Sequence, residues 1–173
     1  LWGPPGVGKT TLARLMAEDP SARGAERVMI EIYRRFPSYM GTTLTAVVER
    51  LLEGGAPMLV HCSAGKDRTG FVIAMLLHAL DVPEPLIRED YLASRHWPGA
   101  IHHRASLEAR LGRFMPASEL AVAVDTVIDV REVYLDAALG AAVEECGSID
   151  GYLEVAAGLD AARRDRLRGA LLE

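Results

Sequence analysis

The chain of 173 residues has only two cysteines, few aromatic residues and fewer basic than acidic side chains. Two cysteines provide no framework of disulfide bonds. The net charge of −5 argues against a nucleic-acid partner, because duplex binding draws on a clustered basic surface. No apolar run approaches the ~18 residues that a membrane-spanning helix requires, and no signal peptide is visible.

The chain does have an ordinary globular composition. Half of its residues are hydrophobic and a quarter are charged, which is typical of a folded domain rather than of a disordered or fibrous protein. A chain of this length is expected to form one domain with a core of ordinary size.

The most informative segment is HCSAGKDRTG, at residues 61–70. The short apolar run MLV precedes it and predicts a buried strand over residues 58–61. The longer run FVIAMLL, at residues 71–77, follows it and predicts a buried helix. A strand, a tight loop and a helix N-terminus form a cradle for anions, because unpaired N–H groups and the helix dipole both point into the loop.

Three side chains of this loop suit covalent phosphoryl transfer. Cys62 is the candidate nucleophile, because a helix N-terminus and neighbouring cations favour the reactive thiolate. Arg68 can hold two phosphate oxygens at once with its planar guanidinium. Asp67 is the candidate acid for the leaving oxygen and then the base for the attacking water. The sequence therefore predicts hydrolysis of phosphate monoesters through a phosphocysteine, with no metal and no other cofactor.

The other loop residues are predicted to bind the phosphate or to order the loop. Backbone N–H groups of the loop would stabilise the equatorial oxygens of the transition state. Gly65 lets the backbone turn these groups inward, and Thr69 would donate its hydroxyl to the leaving sulfur. The predicted phosphate-binding residues are Ser63, Ala64, Gly65, Lys66 and Thr69, and the predicted loop-ordering residues are His61 and Gly70.

Several segments of the chain resemble one family. The HCSAGKDRTG loop, IYRRFP at residues 32–37 and DYLAS at residues 90–94 are similar to atypical bacterial tyrosine-protein phosphatases, whose loop reads HCxAGKDRTG. Likeness near residues 131–135 and 147–153 extends the resemblance over residues 25–173. It implies an α/β fold of the cysteine-phosphatase type, with a short central sheet in mostly helical surroundings and a truncation on the N-terminal side.

The resemblance also implies substrates and roles. Members of the family act on phosphotyrosine, and its range extends to phosphoinositides and to phosphoserine or phosphothreonine. Lys66 fits the lipid substrate, since it would meet an additional phosphate of the inositol ring. The family places its acid at the position of Asp67, and residues 95–118 would form a helical flap over the pocket. The implied partner is a phosphorylated protein or a phosphoinositide, and the implied location is cytoplasmic or secreted, in a bacterium.

A second phosphate-binding pattern lies at the beginning of the chain. GPPGVGKT, at residues 3–10, satisfies GxxxxGK[ST], and residues 1–18 resemble the P-loop start of an AAA+ ATPase. A working ATPase also needs a preceding strand and an acidic residue on a second strand for magnesium. The residues that this pattern assigns to nucleotide phosphates are Gly8, Lys9 and Thr10.

The surroundings of this pattern do not favour ATP hydrolysis. The best magnesium candidate is Asp125, and a plain helix explains the apolar run before it as well. We expect residues 1–24 to be an AAA+-like fragment rather than an independent domain, and residues 25–173 to be the phosphatase-like domain. Two alternatives remain open: a non-catalytic module that binds phosphate groups, and a nucleotide-binding ATPase remnant that uses Lys9 and Thr10.

The remaining sequence predicts mostly helices. A second strand is predicted at residues 28–30, and WPG at residues 97–99 predicts a turn. Apolar spacing and Pro or Gly breaks predict helices at residues 11–18, 42–52, 69–81, 85–91, 106–111, 118–130, 133–146, 148–157 and 161–172.

Overall fold

A computed structural model describes residues 15, 18–96, 100–113 and 115–172 of the chain. Within these residues the protein is mainly α-helical, with one 3₁₀ turn at Ser94–His96. The helices are α1 Ala22–Arg34, α2 Phe36–Leu52, α3 Asp67–Ala79, α4 Glu84–Ala93, α5 Ala100–Leu111, α6 Ala117–Ile128, α7 Glu132–Cys146, α8 Ile149–Ala157 and α9 Ala161–Leu172.

The helices predicted from residue 42 onward are confirmed, and the differences lie at their ends. Helix α2 begins at Phe36, because Pro37 fits the first turn of a helix, where its missing N–H has no partner to lose. Helix α5 begins at Ala100 rather than at residue 106. The predicted helix at residues 11–18 lies mostly outside the described residues, as does the turn at 97–99.

The predicted strand at residues 28–30 is wrong, because these residues lie inside α1. Helix α1 begins after Ser21, whose hydroxyl accepts a hydrogen bond from the N–H of Gly24 at 3.1 Å. Its buried residues follow the helical spacing of one apolar face, which a three-residue run is too short to reveal. They are Gly24, Ala25, Val28, Met29 and Tyr33.

The strand predicted at residues 58–61 does not form in this structure. No β-strand occurs in the described parts of the chain, and residues 58–61 are irregular, with Leu59 84 % exposed. A strand needs a hydrogen-bonded neighbour, and none of the described segments supplies one. The central sheet expected for the fold is therefore not observed, and the described architecture is a packing of helices.

The core lies where α2, α3, α7 and α8 meet. Helix α3, which follows the HCSAGKDRTG loop, contacts α2, α4 and α8, while α1 packs against α6 and α7. Phe71 of α3 stacks edge-on against Phe36 and Tyr152, with ring centroids 5.7 Å and 6.2 Å apart. This packing fixes the first turn of α3, and therefore the loop ahead of it. Other fully buried core residues are Leu44, Met75, Leu135 and Leu153.

None of the described helices is long and apolar enough to cross a membrane.

Candidate active site

The loop at residues 61–66 enters α3 two residues earlier than the sequence predicted. Helix α3 begins at Asp67, and the N–H of Gly70 donates to the carbonyl of Lys66 at 2.7 Å to close its first turn. Gly65 has a φ of +70°, in the left-handed region that residues with a Cβ rarely adopt. The backbone therefore turns at Gly65 and presents the start of α3 toward the preceding loop residues.

Cys62 is a free, half-buried cysteine on this loop. Burial by itself raises the pKa of the Cys62 thiol. The nearby hydroxyl and N–H of Thr69 and the N–H groups of Ala64 and Gly65 favour the thiolate, and together they lower the pKa by more than burial raises it. The pKa of Cys62 therefore lies below its ordinary value. A thiol in such a setting carries more of the nucleophilic thiolate near neutral pH.

The Thr69 hydroxyl is buried and has no hydrogen-bond partner within ordinary limits among the described residues. It nevertheless lies close enough to the Cys62 sulfur to lower the pKa of that thiol. A buried hydroxyl without a partner is costly, and a sulfur anion is the group nearby that would satisfy it. The donation of this hydroxyl to the sulfur stays a prediction of the sequence.

Asp67, the first residue of α3, is held at one carboxylate oxygen. Its Oδ1 accepts from the hydroxyl of Tyr33 at 2.7 Å and from Nζ of Lys66 at 3.0 Å. The Asp67 side chain is 26 % exposed, so it remains accessible at the surface of the loop. An acidic residue in the first turn of a helix also interacts favourably with the helix dipole.

The structure places Lys66 differently from the sequence prediction. Its side chain is only 2 % exposed, and Nζ donates to the carbonyls of Val127 at 2.9 Å and Asp129 at 3.3 Å as well as to Asp67. Val127 lies in the last turn of α6, where backbone carbonyls lack helical partners and attract cations. In this position the ammonium is buried and is held by protein oxygens, and its predicted contact with a phosphate group stays a prediction.

Arg68 is half-buried in the first turn of α3, close to Tyr39 at the beginning of α2. Burial raises the pKa of Tyr39 to about 12, and the positive charge of Arg68 acts against this rise. The guanidinium is therefore on the side of the loop that faces α2.

The two residues predicted to order the loop differ in what they do. His61 is exposed, and its Nδ1 lies 3.4 Å from the carbonyl of its neighbour Cys62, which is a local contact. Gly70 is buried, and a Cβ at its position would lie 2.8 Å from Cδ2 of Tyr91. The absence of a side chain at Gly70 thus allows the Tyr91 ring to pack against the first turn of α3.

Tyr33 and Tyr91 are site residues that sequence reasoning missed. Both are buried, and their hydroxyl oxygens are 2.9 Å apart. Each lies in a segment that resembles the phosphatase family, at residues 32–37 and 90–94, but nothing in either segment by itself points toward Asp67. The family resemblance was the only feature of the sequence that could have drawn attention to these two residues. Their contacts with each other and with Asp67 are seen only in the structure.

Helix α5 lies near the loop, within the segment expected to form a flap. Burial lowers the pKa of His103 on α5, and the charge of Lys66 lowers it further, while Asp67 acts in the opposite direction. Asp125, the magnesium candidate, is an exposed residue of α6 that pairs with Arg104. The predicted nucleotide-binding residues Gly8, Lys9 and Thr10 lie outside the described residues.

Comparisons with known proteins place the chain in one family. A sequence model described as "Tyrosine phosphatase family" matches residues 7–173. The triple specificity protein phosphatase PtpB of Mycobacterium tuberculosis is 42 % identical over 159 residues, which are 86 % of this chain and 56 % of that protein. A protein of Cupriavidus necator named "Putative tyrosine-protein phosphatase" is 34 % identical over 161 residues, 93 % of this chain and 55 % of that protein. The chain thus spans about half the length of these curated relatives.

Proposed function

The chain belongs to the tyrosine phosphatase family, and from that premise we propose that it hydrolyses phosphate monoesters through a phosphocysteine at Cys62. The observation that carries the proposal is the environment of the sulfur. Three backbone N–H groups and the Thr69 hydroxyl favour its ionised form at the N-terminus of α3, although burial opposes it. An ionised thiol in an anion cradle is what nucleophilic attack on a phosphoryl group requires.

In the first step the Cys62 thiolate attacks phosphorus, and an S–P bond forms as the bond to the leaving oxygen breaks. The electron pair of the broken bond stays on the leaving oxygen, which takes a proton from Asp67. Loop N–H groups and the guanidinium of Arg68 stabilise the charge on the three equatorial oxygens.

In the second step a water molecule attacks the phosphocysteine and gives a proton to Asp67, which is ionised after the first step. The S–P bond breaks, and its electron pair returns to sulfur. The buried Thr69 hydroxyl then donates to the thiolate and makes sulfur a better leaving group. The products are inorganic phosphate and the original pair, a Cys62 thiolate and a protonated Asp67.

The substrate class proposed first is protein phosphotyrosine. The M. tuberculosis relative is named a triple specificity phosphatase, so phosphoserine, phosphothreonine and phosphoinositides also belong in a substrate panel. The buried position of Lys66 does not support a contact between this residue and an inositol phosphate. A phosphoinositide would have to be recognised by other cations around the loop.

We also propose that residues 58–61 occupy a strand position of a short central sheet in the active phosphatase fold. An apolar run that leaves Leu59 84 % exposed supports this, because such a run is typical of a buried strand. Strand neighbours for this segment would have to come from outside the described residues.

One assay tests the function directly. The reduced protein should hydrolyse an aryl phosphate in the presence of EDTA, and orthovanadate should inhibit it. Cys62→Ser should abolish turnover, whereas the matched variant Cys146→Ser, which removes the other free cysteine, should retain it. Circular dichroism confirms that both variants are folded.

The opposite outcomes separate the alternatives. Turnover that persists in Cys62→Ser contradicts the covalent mechanism. A folded, reduced wild-type protein that binds tungstate but releases no phosphate supports a non-catalytic phosphate-binding module instead.

A further inference from the structure

Two buried donors converge on the same oxygen of Asp67. The hydroxyl of Tyr33, a residue with no exposed surface, and the ammonium of Lys66, which is 2 % exposed, both donate to Oδ1. They approach from different elements, since Tyr33 belongs to α1 and Lys66 precedes α3. The two oxygens of this carboxyl group are therefore not equivalent.

The direction of the phenol hydrogen bonds follows from counting protons. Tyr33 has one hydroxyl proton and gives it to Asp67, so its oxygen must accept the proton of Tyr91 across their 2.9 Å contact. The ring of Tyr91 is itself fixed against Gly70 in the first turn of α3. Tyr33 is thus held in its donating orientation by a second buried phenol.

Lys66 is anchored just as firmly at its other side. Its ammonium is shared with the carbonyls of Val127 and Asp129, at the end of α6. That end is braced in turn, because the Asp129 carboxylate pairs with Arg131 at 3.0 Å and with Arg95 at 3.1 Å. The ammonium has three partners in a buried site, and a move toward the open loop would break all three interactions.

We infer that Tyr33 and Lys66 are positioning residues that reserve Oδ2 of Asp67 for the proton transferred in catalysis. This inference rests on the proposed function and assigns the orientation of its acid. An oxygen that accepts from two donors is a poor place for a proton, so the proton is carried by Oδ2. When Oδ2 gives it to the leaving oxygen, the negative charge that Asp67 acquires is stabilised at Oδ1 by the phenol and the ammonium.

The first test removes only the Tyr33 hydroxyl. Tyr33→Phe keeps the ring in the core, and its matched control is Tyr152→Phe, which removes a buried hydroxyl that donates to the carbonyl of Pro37 at 3.1 Å. A hydrogen bond to a charged group corresponds to a factor of about 10 to 100. Tyr33→Phe should lower kcat by about this factor for phenyl phosphate, a poor leaving group. It should change kcat by less than about threefold for 2,4-dinitrophenyl phosphate, which needs little help from an acid.

A purely structural role gives a different pattern. It would lower activity on both substrates equally, or raise KM for both, and either result would overturn the inference. Tyr152→Phe should leave the ratio between the two substrates unchanged. A wild-type protein without any turnover would overturn the proposed function and the inference with it, whereas normal wild-type turnover with equal losses overturns the inference alone.

A double-mutant cycle links Tyr33 to Asp67. Asp67→Asn removes the transferable proton, so adding Tyr33→Phe to it should lower phenyl phosphate turnover by less than about twofold further. If the two losses multiply, Tyr33 acts on the reaction by a route other than Asp67, and the inference fails.

A third experiment tests whether Lys66 binds the phosphate group, and it does not depend on turnover. Tungstate affinity, measured by calorimetry, should differ by less than about threefold between the wild-type protein and Lys66→Met. A loss of about tenfold or more would make Lys66 a phosphate ligand and contradict its assigned role. Should Lys66→Met fail to fold, the Tyr33 cycle still decides the inference.

Discussion

Lys66 is a buried cation that connects the catalytic loop to the end of α6, and its removal should destabilise the protein. Lys66→Met retains an unbranched apolar stem but loses the interactions with Asp67 and with the carbonyls of Val127 and Asp129. The loss leaves two carbonyl groups without this donor and removes one of the two donors to Oδ1 of Asp67. The substitution should therefore lower the free energy of global unfolding and not only the local stability of the loop.

The magnitude follows from the burial of the two partners. The loss of the ammonium also leaves Oδ1 of Asp67 with one donor instead of two, but Asp67 is 26 % exposed and water can replace the lost donor in part. Each carbonyl left unsatisfied in a buried position costs about 1–3 kcal/mol. We expect a net loss of about 2–4 kcal/mol, a large part of the ~5–15 kcal/mol that stabilises a typical domain.

Urea unfolding followed by circular dichroism measures this loss. With an m-value of about 2 kcal/mol per molar urea, the midpoint should fall by about 1–2 M. The matched control is Arg34→Met, since Arg34 pairs with Glu144 while 45 % of its side chain is exposed. Such an exposed pair contributes less than ~1 kcal/mol, so the control should change little.

A loss below about 1 kcal/mol in Lys66→Met would refute this reasoning, because the ammonium would then have to be solvated rather than buried. The double variant Lys66→Met/Asp67→Asn adds a further check. Because Lys66 and Asp67 are in direct contact, removing the ammonium should cost less in the Asp67→Asn background than in the wild-type protein, by a coupling energy of about 0.5–3 kcal/mol.

Two further predictions concern the sulfur and the glycine behind it. The rate at which iodoacetamide alkylates Cys62, measured by peptide mapping, should rise at lower pH than for an ordinary thiol, because the pKa of Cys62 is lowered. Thr69→Val should move this rise to higher pH. An unchanged pH profile in Thr69→Val would exclude the Thr69 hydroxyl as a donor to sulfur. Gly70→Ala should cost about 1–3 kcal/mol, because its Cβ would lie 2.8 Å from the Tyr91 ring. The control Gly140→Ala, inside α7 with open space around its Cβ, should stabilise the helix by about 0.5–1 kcal/mol in the same urea experiment.

The helices were readable from the sequence where apolar residues repeat at helical spacing over several turns. Helices α6 to α9 show this, and their predicted bounds are close to the observed ones. Short runs were ambiguous. Three apolar residues at 28–30 fit a strand as well as a helix, and the Ser21 cap and the buried face of α1 decided for the helix. Residues 58–61 lack a strand partner among the described residues, and pairing cannot be predicted from a single apolar run.

The sequence by itself determined the local geometry of the loop. Cys62, Gly65 and Thr69 lie within eight consecutive residues, so the turn, the helix N-terminus and the sulfur are linked through local backbone geometry that the order of residues already contains. The contacts of Lys66 and of the two phenols were decided by the tertiary structure alone. The carbonyl that holds Lys66 is 61 residues away along the chain, and Tyr33 is 34 residues from Asp67. A long side chain binds the nearest unpaired oxygen in space, and only the packing of α1, α3 and α6 determines which oxygen that is.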